Sequence, residues 1–128
     1  SNLMAEIRAA YLLHRLKWSD KAPTGYDLLK LATRGSAALL GRDDIGSLEP
    51  GKAADLFMID ASLLELAGAG NDPACLLGTV GYCRPPKLVM VNGRIVSEDG
   101  HLTSIDEPLV REKAETLSHE MLKKARQA

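Results

Sequence analysis

Leu3, Met4, Ile7, Ala10, Tyr11, His14 and Trp18 recur at the three-and-four spacing of one helical face, which predicts a helix over residues 1–18. Ser1 or Asn2 can cap its start, and Glu6 lies in the first turn, where the helix dipole favours a carboxylate. Leu12, Leu13 and Leu16 add apolar residues away from that face. A helix apolar over so much of its circumference calls for burial on more than one side, and the expectation is that part of its cover belongs to chain upstream of Ser1. After a polar connection, Thr24 and Asp27 stand at capping-box spacing. Leu28, Leu31 or Ala32, Gly35, and Ala38 or Leu39 then continue a second helix, which Gly41 can end as the residue past its C-cap. Small residues at Ala32, Gly35 and Ala38 would let a neighbour approach closely.

The helical period disappears after Asp44. Glu49-Pro50-Gly51-Lys52 is a turn: proline presets φ at the first corner and Gly51 can take the positive φ that a type II turn needs at the second. Leu56-Phe57-Met58-Ile59 follows as a buried strand that closes on Asp60. Residues 61–73 read as a loop or short helical turn, 74–77 as a short helix and 79–83 as a short strand. Arg84-Pro85-Pro86 forces an extended path. Asn92-Gly93 is the type I′ hairpin dipeptide between strands at 87–91 and 94–97. Asp99-Gly100 repeats that signal before a third strand at 101–105. Asp106 caps a last helix with Pro108 near its first position. Leu109 or Val110, Ala114, Leu117, Met121 and Ala125 give that helix one apolar stripe.

Composition narrows the class rather than the fold. The chain has 128 residues, 45% hydrophobic and 26% charged, which suits a single globular unit with a modest core. One Trp, one Phe and three Tyr make that core mainly aliphatic. A net charge of −1 argues against nucleic acid or an anionic membrane as partner. No apolar run reaches the ~20 residues of a membrane-spanning helix. Cys75 and Cys83 lack the spacing of a zinc ribbon and are too few for a disulfide framework; reduced thiols in a cytoplasmic protein are the expectation.

Candidate chemistry is sparse. His14, His101 and His119 fall on the first helix, the hairpin and the last helix, and form no His-x-His or His-x-x-x-His pair. For each, a packed, solvated or partner-facing ring is favoured over a metal ligand. Cys83 beside Arg84 could be an activated thiol, although a small buried hydrophobe is the favoured reading. Asp55 could be an acid catalyst, although a structural hydrogen bond to the turn is favoured. Glu98-Asp99 is a charge pair at a turn tip.

Two stretches carry a family resemblance. In IGSLEPGKAADLFMID, Gly46, Leu48, Gly51, Ala54, Asp55, Leu56 and Asp60 occupy the places of a pattern from the amidohydrolase superfamily, where the chain leaves the catalytic barrel for a small β-sandwich. In KLVMVNGRIVSEDGHL, Val89, Val91, Asn92, Gly93, Arg94, Val96 and Gly100 match that family's hairpin. Ala32, Thr33, Gly35, Ala37 or Ala38, Leu40 and Gly41 also resemble the helix packed outside its barrel. The wording from Leu66 to Val96 is similar to the deaminase and chlorohydrolase branch, which includes 8-oxoguanine deaminases and hydroxyatrazine aminohydrolases.

The resemblance implies an α+β fragment of a (β/α)8 barrel enzyme. Residues 1–43 would be the last helices of the barrel, 44–105 the C-terminal part of a composite β-sandwich, and 106–128 a C-terminal helix. It implies a parent that hydrolytically removes an amine from a nitrogen heterocycle such as a purine, pyrimidine or triazine. A divalent metal, zinc or iron, would activate water there. The metal-binding histidines and aspartate of such enzymes have no counterpart here, so catalytic and metal-binding residues are expected to be none, and the isolated chain inert. Ser1 and Asn2 would be nearest to substrate; Gly46, Pro50, Gly51, Asp55, Asp60, Asn92 and Gly93 would be structural. The expected partner is the N-terminal part of the same enzyme or a further copy of the chain. The rival reading is a non-enzymatic binding or oligomerisation module.

Overall fold

A computed structural model describes residues 2–126. Helix α1 (Leu3–Trp18) starts on Asn2, whose side-chain oxygen accepts hydrogen bonds from the Met4 and Ala5 amides at 3.1 and 3.4 Å. Ile7 is its buried residue, flanked by the half-buried Met4, Ala10, Tyr11 and His14. The added leucines stay in solvent: Leu13 is 66% and Leu16 87% exposed. Helix α2 (Gly25–Lys30) opens with the Thr24–Asp27 capping box, both halves formed.

That second helix departs from the simple stripe. A π-helical turn (Leu31–Gly35) intervenes before α3 (Ser36–Leu39). The Thr33 hydroxyl donates to the Leu29 carbonyl at 2.9 Å within this widened stretch. A wider turn rotates every later side chain. Ala37 is therefore the buried residue, and Ala38 and Leu39 of the expected face are exposed. Gly46, with φ +88°, lies directly over Ala37.

The buried cluster joins Ile7 of α1, Leu28 of α2, Leu66 of a single 3-10 turn, Leu76 and Leu77 of α4 (Leu76–Thr79), and Tyr82. It is aliphatic apart from Tyr82, whose hydroxyl donates to the Pro85 carbonyl at 3.3 Å. The strand expected at 79–83 does not form. Helix α4 runs to Thr79 instead, and Gly81 turns away with φ +84°. Arg8 of α1 donates to the Gly78 carbonyl at 2.8 Å and also to that of Thr79. Carbonyls left without a helical partner at the end of α4 are thus satisfied by a side chain rather than by a strand.

The sheet is antiparallel, in the order β1 (Leu56–Met58), β2 (Leu88–Val91), β3 (Arg94–Glu98), β4 (His101–Leu102). Leu56 pairs with Met90 and Met58 with Leu88, and the β2–β3 register shifts between Val89 and Met90. Asn92 and Gly93 both have positive φ, 48° and 76°, as a type I′ turn requires. Two expectations need correction. The 56–59 strand is not buried: Phe57 is 42% and Met58 54% exposed, because β1 is an edge strand and, among the described residues, no second sheet faces it. The third hairpin strand ends at Leu102 rather than at 105, since Leu102 N–H turns to the Glu107 carboxylate at 2.9 Å.

Helix α5 (Glu107–Ala125) has Asp106 as its cap, accepting from the Leu109 amide at 3.0 Å, and Pro108 in its first turn. None of its residues is buried.

Candidate functional site

The residues singled out between Asp44 and Gly93 converge on one junction. The Lys52 amide donates to the Glu49 carbonyl at 3.2 Å and closes the Pro50-Gly51 turn, with Gly51 at φ +90°. The Ala53 amide reaches back to the Asp44 carbonyl at 2.8 Å. Lys52 Nζ donates to Ser47 Oγ at 2.7 Å, so the limbs of the turn are tied by side chains as well. Asp44 in turn is held by Arg42, which keeps its carboxyl below the usual carboxylate range.

Asp55 then links this turn to the hairpin. Its Oδ1 accepts the Asn92 backbone N–H at 2.6 Å, while the Gly93 N–H donates to the Ala54 carbonyl at 3.2 Å. An Asp at this position is needed for its acceptor oxygen: the type I′ turn points amides outward, and the carboxylate takes one of them. Asp60 closes the strand as an Asx turn, accepting the Ser62 hydroxyl at 2.6 Å and its amide at 2.9 Å. Those two donors, the hydroxyl foremost, lower the Asp60 pKa. Both aspartates accept hydrogen bonds from backbone amides.

The remaining candidates stand apart. His14 stacks on Trp18 with ring centroids 4.8 Å apart, and its Nδ1 is enclosed without a hydrogen bond. His101 is exposed and its Nδ1 lies 3.0 Å from Glu107. That contact, followed by the Leu102 N–H, lowers the Glu107 pKa. His119 is exposed on α5. Cys83 is exposed, which corrects the expectation of a small buried hydrophobe; without a strand at 79–83, Tyr82 takes the inward place. The neighbouring Arg84 is engaged by Glu65 through two bonds of 2.8 and 2.7 Å. Asn2 spends its side-chain oxygen on the α1 cap; Ser1 lies outside the described residues.

Among the described residues, no group of three or more His, Cys, Asp or Glu side chains is arranged to hold a metal ion. With its three histidines on separate elements, this donor set does not fit a zinc centre. Reasoning from the sequence missed Arg8 and the Glu65–Arg84 clamp. Arg8 carried a signal: it lies four residues after Met4 and three before Tyr11, a cation on the inward face.

The helices and the antiparallel sheet are joined by turns and junctions that main-chain hydrogen bonds hold. The sequence profile of the Amidohydrolase family matches residues 1–96, and the chain belongs to that family. It is 42% identical over 110 residues to a hydroxydechloroatrazine ethylaminohydrolase of Pseudomonas sp. strain ADP, covering 84% of this chain and 23% of that protein. It is 41% identical over 106 residues to an 8-oxoguanine deaminase of Pseudomonas aeruginosa, covering 83% and 23%. The fold superposes with TM-score 0.78 on an atrazine chlorohydrolase from Arthrobacter aurescens complexed with zinc, at 36% identity, over 90% of this chain and 25% of the other. It also matches a zinc-bound adenosine deaminase from Xanthomonas campestris with TM-score 0.78 and 27% identity, over 94% and 28%. The chain thus spans about a quarter of the length of the relatives it matches.

Proposed function

We propose that these residues are the C-terminal scaffold of a metal-dependent hydrolase that removes an amine from a nitrogen heterocycle: a purine, a pyrimidine or a triazine. The observation that carries this is the pair of identities above 40%, to an ethylaminohydrolase and a deaminase, each over more than four-fifths of the chain. The two named reactions share one chemistry, hydrolysis at a carbon–nitrogen bond. The zinc of the matched chlorohydrolase and adenosine deaminase supports a divalent metal in the parent.

On this reading the division of labour is spatial. Residues 1–43 clad a barrel, and the exposed Leu13, Leu16, Leu31 and Leu39 face it. Residues 44–105 supply one sheet of a sandwich whose other strands come from elsewhere in the enzyme, which accounts for the open edge of β1. Helix α5 (Glu107–Ala125) is the terminal helix. Ser1 and Asn2 stand nearest the substrate. The chain's own contribution to catalysis is to hold the barrel wall still: the Asp55–Asn92 junction and the Arg8 clamp fix the sheet and α1.

The test is ammonia or alkylamine release by the full-length enzyme from a panel of amino-purines, amino-pyrimidines and amino-triazines, before and after chelation. Release from a member of the panel, abolished by a chelator and restored by zinc or iron, is expected. Turnover that survives complete metal removal, or none on the whole panel by a metal-loaded enzyme, would reject the reading.

A further inference from the structure

We propose that Asn92-Gly93 is a masked deamidation site, and that Ala54 and Asp55, just ahead of β1 and at its edge, are the latch that keeps it closed. This does not depend on the chemistry proposed above, and every contact it uses lies within this chain. Asn92-Gly93 is the one Asn-Gly pair in the sequence. At such a pair the glycine nitrogen loses its proton to hydroxide and attacks Cγ of the asparagine. The side-chain amide nitrogen leaves as ammonia, taking a proton from water, and a five-membered succinimide remains. Water then opens that ring at either carbonyl. The product is aspartate, or isoaspartate with one extra methylene in the main chain. Glycine makes the attack easy because it has no side chain, and here nothing lies within 4 Å of where a Gly93 Cβ would sit. Crowding therefore does not protect the pair.

The hairpin and its latch do. The ring closes only when the Gly93 nitrogen is eclipsed with Asn92 Cβ. The left-handed backbone of Asn92, φ 48°, in a type I′ turn sets that nitrogen nearly opposite. The turn must open before the reaction can start, and two bonds from outside the hairpin resist its opening. The Gly93 N–H donates to the Ala54 carbonyl at 3.2 Å, so the proton that must be lost is already held. The Asn92 N–H donates to Asp55 Oδ1 at 2.6 Å, a charge-assisted bond that restrains the rotation. The carboxylate also puts negative charge beside the peptide whose nitrogen must become an anion. Two successive amides of the turn are thus taken by two successive residues of another segment, which the pairing of β2 with β3 does not itself require.

The full-length enzyme, held at mildly alkaline pH and peptide-mapped by mass spectrometry at intervals, tests this. The readouts are the mass gain at Asn92 and the isoaspartate formed there. Wild type should deamidate at Asn92 far more slowly than the same protein unfolded in guanidinium chloride. Asp55→Ala loses one charge-assisted bond and should react about five- to tenfold faster. Asp55→Asn keeps an acceptor oxygen and should stay closer to wild type than to Asp55→Ala. Gly78→Ala perturbs the fold away from the hairpin and should leave the rate unchanged. A wild type that reacts as fast as the unfolded chain overturns the proposal, as does an Asp55→Ala rate at or below that of wild type. An Asp55→Asn rate equal to that of Asp55→Ala overturns the hydrogen bond as the restraint. If Gly78→Ala speeds the reaction as much as Asp55→Ala, general unfolding governs it, and the latch is overturned.

Discussion

Replacing Gly78 by alanine tests the tightest contact in the fold. Gly78 is buried in α4, and a Cβ built there lies 2.7 Å from Gly25 Cα and 3.4 Å from the Tyr11 ring. The crowding is reciprocal, since a Cβ on Gly25 would lie 2.6 Å from the Cys75 carbonyl oxygen. The atom met at 2.7 Å, Gly25 Cα, belongs to main chain, so no rotamer change relieves the overlap. Either the start of α2 or the whole of α4 must move, and α4 carries Leu76 and Leu77 of the core. Overpacking of this kind costs about 1–3 kcal/mol, while the better helix propensity of alanine returns up to about 1 kcal/mol. The net expectation is a loss of about 1–2 kcal/mol, or a Tm lower by about 3–10 °C. Gly70→Ala is the control: nothing lies within 4 Å of a Cβ there, and its φ is negative, so stability should hold or rise slightly. Thermal unfolding followed by circular dichroism compares the two. If Gly78→Ala melts with or above Gly70→Ala, the close approach of α2 and α4 is not what the fold depends on.

Arg8→Met keeps the packing stem of the side chain but leaves the carbonyl of the buried Gly78 without a donor, while water can reach that of Thr79; urea unfolding should show a loss of about 1–2 kcal/mol. Asp55→Ala frees the Asn92 amide, which water can reach, so the expected loss is about 1 kcal/mol, with faster amide exchange confined to residues 92 and 93. Asp27 is held at a pKa of about 2 by Lys30 first and then by Thr24. Its folded pKa is below the unfolded value, so its contribution is present above about pH 4 and is lost as pH falls towards 2. Melting of α2 between those pH values should vanish in Asp27→Ala, read by NMR shifts of Gly25 to Lys30. In the full enzyme, Asn2→Asp keeps the α1 cap and should leave Tm unchanged while raising KM, if Asn2 borders the substrate.

Features governed by a few neighbouring residues were legible in the sequence. The Thr24–Asp27 box, the Pro50-Gly51 turn, Asn92-Gly93 and the Asp106 cap each follow from local backbone chemistry, and each is present in the structure. What failed depends on distant partners. Residues 79–83 look strand-like until Arg8, seventy residues upstream of Gly78, supplies the donors that end α4. The buried face of the second helix shifts to Ala37 because a π turn, set by Thr33 and tertiary packing, breaks the 3.6-residue count. Phe57 and Met58 are apolar yet exposed, since apolarity reports what a residue would bury against, not whether that partner is present. The family resemblance was legible because its motif residues serve turns and their clamp. The hydrolytic chemistry of the family was legible only through that resemblance, because those residues themselves hold main chain in place.

Supplying this chain in trans is the most direct measurement of the central claim. Residues 1–128 are expressed together with the remainder of the enzyme as a separate polypeptide, and amine release is compared with that of each part alone. No turnover and no bound zinc are expected for 1–128 alone, and turnover should recover when both parts are present. Stoichiometric zinc on 1–128 alone, with amine release, would contradict it.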